Sequence, residues 1–192
     1  MNNQGNNDYI ETGDITHIAP AEAKYLHDLM DELPANYVLN KGMTGCGATT
    51  VALEQTSPTI IAMPFVGLIQ NKTGQDREGR LLGIYGDGDK RQEIAEYMKS
   101  HQQSPKILTT YNSVPKVCSI LSSLGYDPYS SFFLVIDEWH LLFNSYHFRN
   151  DAIRSLLETA SKFGKVTYIS ATPIERKYWL EEIKDMPEYR IE

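Results

Sequence analysis

Apolar positions along the chain come in two patterns, short unbroken runs and longer stretches in which they recur at helical spacing. The unbroken runs read as strands covered on both faces, at residues 37–40, 59–63, 81–85, 106–110, 132–136 and 166–170. The helical spacing predicts helices over 20–33, 49–55, 66–72, 90–101, 113–124, 149–163 and 174–184. Gly and Asp punctuate the joints, as in Gly86-Asp87-Gly88-Asp89 and at Gly164. Strands alternating with helices predict βαβ units, and hence an α/β fold with a mostly parallel central sheet and helices on both faces. In such a sheet ligands lie beyond the carboxyl ends of the strands, so the residues just after each strand are the candidates for chemistry.

The 192 residues suit one domain, taken here as 15–192, preceded by a polar, Asn-rich tail over 1–14. With 41% hydrophobic and 22% charged residues, the composition is that of a globular protein. Eighteen Lys and Arg against twenty-five Asp and Glu leave a net charge of −7, so any grip on nucleic acid must be local. The two cysteines, Cys46 and Cys118, form neither a disulfide framework nor a metal-ligand spacing, which points to a reducing cytoplasm. The longest apolar run, 59–69, contains Pro64 and is too short to cross a membrane, and the N-terminus has no charged-then-apolar signal.

Four segments follow predicted strands. The first is Gly42-Met43-Thr44-Gly45-Cys46-Gly47-Ala48-Thr49-Thr50. Its glycines let successive N–H groups turn inward around a phosphate, with the positive end of a helix behind them, and Thr49 is placed to offer its hydroxyl to Mg2+. The phosphate-loop pattern G-x-x-x-x-G-K-[S/T] expects a lysine where this chain has Ala48. A tight strand-to-helix turn would account for the same glycines. The second segment, Asp137-Glu138-Trp139-His140, ends an apolar strand. Its first carboxylate suits a Mg2+ ligand and its second suits activation of a water, although acidic residues also favour helix N-termini. The third, Ser170-Ala171-Thr172-Pro173, and the fourth, Thr109-Thr110-Tyr111-Asn112-Ser113, read individually as helix caps.

Taken in order, these segments resemble the first RecA-like domain of the superfamily 2 helicases and translocases, the DEAD/DEAH-type family, a P-loop NTPase fold, over nearly the whole chain. The resemblance implies ATP and Mg2+ as ligands. It assigns nucleotide contacts to Thr44, Gly45, Cys46, Gly47, Ala48, Thr49 and Thr50, and the metal to Thr49 and Asp137, the latter through water. It makes Glu138 the catalytic base and has His140, Ser170 and Thr172 couple the nucleotide state to strand binding. Pro64 and Phe65, with Thr109, Thr110 and Tyr111, fall where the family contacts DNA or RNA.

Two departures stand against full activity. Ala48 replaces the family's lysine, and Lys41 lies off the position of the extra lysine in deviant loops of this type, so hydrolysis is expected to be slow. The family also places the nucleotide between two such domains, whereas this chain stops soon after Thr172; a second RecA-like domain in cis or in trans is implied, and the chain is read as a fragment. A motor lobe and a non-hydrolysing module that binds nucleic acid or a protein partner therefore both stay open. Among the remaining residues, His17, His27, His101 and His147 read as surface or satisfied histidines, and Cys46 as an ordinary loop residue. Trp139, Phe143 and Phe148 read as packing against the sheet, and Trp179 with Leu180 as a helix face. Tyr111 near Lys72, Arg77, Arg80 and Lys116 reads either as a track for a single strand or as a solvated mixed-charge face.

Overall fold

Eight strands run parallel through the computed structural model, which describes residues 13–146 and 150–192. They are β1 (Ile15–His17), β2 (Tyr37–Asn40), β3 (Thr59–Met63), β4 (Leu81–Ile84), β5 (Lys106–Thr110), β6 (Phe133–Asp137), β7 (Lys165–Ser170) and β8 (Glu188–Ile191). Their order across the sheet is β1-β8-β2-β7-β6-β3-β5-β4. The predicted α/β fold is present, and the sheet is parallel throughout rather than mostly so.

The strands were legible because both their faces are covered. In β3, Ile60 and Ala62 join one core cluster while Ile61 and Met63 join the other, and in β6 Leu134 and Ile136 divide in the same way from Phe133 and Val135. The first cluster also takes residues of α3 (Arg91–Ser100), α4 (Val114–Ser123) and α7 (Asn150–Ala160). The second takes residues of α1 (Ala48–Glu54) and α2 (Val66–Gln75). Helices thus lie on both faces. Two short helices, α5 (Pro128–Ser131) and α6 (Leu141–Tyr146), complete the described set.

Two predicted helices are absent. Over 20–33 the only helical turn is a 3-10 turn at Leu26–Asp28, because backbone groups are spent on other partners: the Leu26 N–H donates to Cys46 O at 2.6 Å, and the N–H groups of Lys24 and Tyr25 donate to the Asp28 carboxylate. The apolar spacing reported burial correctly, since Leu26 and Leu33 are both in the core. Over 174–184 there are 3-10 turns at Arg176–Tyr178 and Glu181–Ile183, separated by extended backbone at Trp179 and Leu180. Trp179 is buried as predicted, but its indole N–H is satisfied by Ile174 O at 2.8 Å rather than on a helix face. Strands β1 and β8 went unpredicted because they lie toward one edge and mix polar with apolar residues.

His147, Phe148 and residues 1–12 of the predicted tail lie outside the described residues. The other histidines fit their expected role: His101 stacks on Tyr97 at 4.2 Å between ring centroids, and His27 stacks on Tyr25 at 5.3 Å. Among the described residues no helix is long and apolar enough to cross a membrane.

Candidate nucleotide site at the carboxyl edge of the sheet

Three neighbouring strands end in one row. Asn40 of β2 is in register with Ser170 of β7, and Ile169 of β7 with Asp137 of β6, so the segments after these strands converge without any long excursion. The next strands along, β3 and β5, end at Met63 and Thr110, which are also in register. All four predicted segments therefore open onto the same edge.

The glycine-rich loop leaves β2 through a tight turn, in which the Gly42 N–H donates to Asn40 Oδ1 at 3.2 Å and the Met43 N–H to Lys41 O at 2.7 Å. Gly42 has φ +71°, and a Cβ there would lie 2.8 Å from Ile191 O of β8. Gly47, at φ 86°, is the left-handed residue from which α1 starts. Gly42→Ala is expected to cost about 2–4 kcal/mol, left-handed strain plus the clash with a backbone oxygen. A urea melt beside that of the wild type measures it.

Thr44 and Gly45 are exposed, Gly47 and Thr50 are half-buried, and Cys46 and Ala48 are buried members of the second core cluster. Thr49 meets the Asp-Glu segment: its hydroxyl donates to Asp137 Oδ2 at 3.1 Å. The other oxygen of Asp137 accepts the Glu138 N–H at 3.1 Å. Glu138 has φ 51°, unusual for a residue with a side chain, and so carries backbone strain. The Tyr111 hydroxyl holds this kink from below by donating to the carbonyl of Asp137, with the Glu138 carbonyl 3.1 Å away. His140 Nδ1 lies 2.9 Å from Ser170 Oγ and 3.3 Å from Glu138 Oε2. Ser170 Oγ in turn accepts the Thr172 N–H at 2.9 Å. His140, Ser170 and Thr172 thus form one hydrogen-bonded chain leading away from Glu138.

The side chain that sequence reasoning underrated is Lys41. It is 6% exposed, and its ammonium lies 2.8 Å from Glu138 Oε1 and 3.6 Å from Asp137 Oδ1. Burial works against its charge, but the two carboxylates outweigh burial and hold its pKa above the ordinary lysine value. Burial lifts Asp137 above the usual carboxylate range against the pull of the Lys41 ammonium, with the Glu138 charge adding to the rise. No motif marks residue 41. The only available signal was a lysine placed directly after a buried strand.

The residues predicted for nucleic acid separate into two sets. Phe65 is exposed and Pro64 and Thr110 are half-buried. Thr109 is fully buried, and Tyr111 is 8% exposed with its hydroxyl committed beneath Asp137, so neither presents a surface on which a base could stack. Tyr111 follows β5, one place in from the sheet edge, and its ring packs in the first core cluster. Beside the loop lies a cavity of about 380 Å³, lined among others by Tyr25, Leu29, Met43 and Ile191.

No protein-family model and no curated protein matches the sequence. Solved structures do match. The helicase MrfA, in a structure bound to DNA and AMPPNP, is 16% identical with a TM-score of 0.53, over 82% of this chain and 25% of that one. A hypothetical ATP-dependent RNA helicase from Sulfolobus tokodaii is 22% identical with a TM-score of 0.50, over 82% and 48%. A DEAD box protein from Methanococcus jannaschii is 17% identical with a TM-score of 0.51, over 81% and 45%. At these identities the likeness is one of fold, that of RecA-like helicase domains, and this chain spans between a quarter and a half of the length of those proteins.

Proposed function

We propose that the chain is the nucleotide-binding motor lobe of an ATP-dependent nucleic-acid helicase or translocase, with hydrolysis weakened by Ala48. The observation that carries this reading is the 3.1 Å bond from Thr49 to Asp137, which ties the helix after the glycine loop to the strand end bearing Glu138. Hydroxyl and carboxylate oxygens are hard donors that suit Mg2+, which favours one or two carboxylates plus substrate phosphates. Among the described residues no group of three or more His, Cys, Asp or Glu is placed to hold a metal. Thr49 and Asp137 would therefore hold Mg2+ together with the phosphates, whose charge the ion would neutralise.

In this reading the N–H groups of the loop from Thr44 to Thr50 cradle the phosphates, and the adjoining cavity offers room for the rest of the nucleotide. Glu138 orients and deprotonates the attacking water, and the chain of His140, Ser170 and Thr172 relays the state of the site. Phe65, with Pro64 and Thr110, is the surface left for a strand of DNA or RNA. The DNA and AMPPNP bound to MrfA lend support by analogy of fold. A second RecA-like domain, in cis or in trans, would close the site from the other side, and the cytoplasm is the compartment proposed.

Calorimetric titration with Mg-ATP and Mg-ADP tests the reading. Wild type is expected to bind both, and Asp137→Ala to bind Mg-ATP more weakly by roughly tenfold or more, the loss of a contact to a charged group. No binding by the wild type would remove the motor reading. A non-hydrolysing module that binds nucleic acid or a protein partner is the second reading, favoured by the 2.8 Å bond that ties Glu138 to Lys41. Strand-stimulated ATP turnover by a longer protein that retains Ala48 would exclude it.

A further inference from the structure

The geometry points to Lys41 as the residue that supplies the phosphate-facing cation missing at position 48, its ammonium held on Glu138 and passed to the terminal phosphates when a nucleotide enters. This rests on the proposed nucleotide-binding reading and adds to it a residue that no loop pattern assigns.

Position 48 offers no exposed side chain to a phosphate. Ala48 is 2% exposed and belongs to the core cluster that contains Leu26, Val51 and Ala52. The cation is instead brought in from the last turn before the loop. The Lys41 N–H donates to Ser170 O at 3.0 Å, which continues the β2–β7 ladder by one residue and fixes the backbone from which the side chain departs. The left-handed Gly42 then carries the chain away. The ammonium sits 3.6 Å from one oxygen of Asp137, whose other oxygen receives the Thr49 hydroxyl at 3.1 Å. A single carboxylate group therefore separates Lys41 from the first turn of α1, where phosphate is expected.

Charge gives the reason for a cation here. Asp137 and Glu138 present two negative groups at the mouth of the loop, and a triphosphate entering without a compensating charge meets like-charge repulsion in a poorly solvated place. Lysine suits the transfer, because its flexible four-carbon stem carries a point charge that can exchange one oxygen anion for another. When the ammonium moves to phosphate, Glu138 is released from its 2.8 Å partner and becomes free to take a proton. Phosphate arrival and release of the base are then one event.

The test is calorimetric binding of AMPPNP in the presence of Mg2+ to four forms of the chain: wild type, Lys41→Met, Glu138→Gln and the double variant Lys41→Met/Glu138→Gln. The double variant leaves no unpaired Glu138 charge, so it gives an answer even where Lys41→Met alone does not fold. Relative to Glu138→Gln, the double variant is expected to lose roughly ten- to hundredfold in AMPPNP affinity. AMP, measured by competition with a fluorescent nucleotide, is expected to bind both alike, a split that a purely structural lysine would not produce. Equal AMPPNP affinity in those two forms, or equal losses for AMPPNP and AMP, overturns the assignment and leaves the motor reading standing. No binding by any form, wild type included, overturns both.

Discussion

Lys41→Met is expected to destabilise the domain by about 3–5 kcal/mol, toward the lower end of that range, and Lys41→Met/Glu138→Gln to recover most of the loss. Removing one partner of a buried ion pair leaves the other charge desolvated without compensation, which costs far more than replacing both. Here the orphan would be Glu138, with Asp137 beside it also deprived of the nearest positive charge. The lower end applies because the Glu138 side chain is 23% exposed and retains some water. Urea denaturation of wild type, the single variant and the double variant decides the matter. A single variant within about 1 kcal/mol of wild type, the range of an exposed pair, would mean that water reaches the site freely and that the ammonium is not needed to hold two carboxylates together.

Trp139→Ala is expected to cost about 3–5 kcal/mol, the range for truncating a large buried aromatic residue. The residue follows Glu138 directly and is among the largest fully buried side chains in the molecule. Its ring meets Trp179 edge-on at 5.8 Å and Phe143 at 5.5 Å, so the lost volume lies between the segment after β6 and the segment after β7 and is not readily refilled. Its backbone N–H, which the substitution leaves in place, donates to Ile169 O at 3.1 Å and anchors the chain immediately beyond the strained Glu138. For a domain of this length each kcal/mol corresponds to about 2–4 °C in melting temperature, so a fall of roughly 6 °C or more is the expected reading. A much smaller fall would show that the aromatic cluster is loosely packed. Trp139→Phe, which keeps a ring between Phe143 and Trp179, should retain most of the stability.

Lys41 and Trp139 both act on Glu138. Glu138 is held in a left-handed backbone conformation by the Tyr111 hydroxyl beneath it and by the Trp139 anchor after it, while its carboxylate is held by Lys41 and approached by His140. A strained residue persists only where its surroundings over-determine it. Four residues act on Glu138 here, Lys41 and Tyr111 from distant segments and Trp139 and His140 from its own turn, so the segment from Asp137 to His140 is expected to contribute to stability as well as to the proposed chemistry.

The central strands and the common edge on which the four segments open were determined by the sequence alone. Strands buried on both faces must be continuously apolar, and the residue after such a strand must emerge at the edge whatever else surrounds it, so β2, β3, β5, β6 and β7 with Asp137 and Thr49 could be placed from local pattern. The tertiary structure decided what depends on distant partners. The apolar spacing of 20–33 implied a helix, but the Leu26 N–H found Cys46 O across the loop; Tyr111 turned inward because the carbonyls of Asp137 and Glu138 needed a donor; and β8 took its place beside β2 although its residues are separated from β2 by most of the chain. Lys41 is the sharpest case. Its sequence neighbours say only that a cation follows a strand, and its partners, Asp137 and Glu138, lie 96 and 97 positions further on and are brought within reach by the pairing of β7 with both β2 and β6. Local pattern reports which groups must be buried, whereas the partner that satisfies a buried charge or N–H is chosen by strand order across the sheet, which no short stretch of sequence contains.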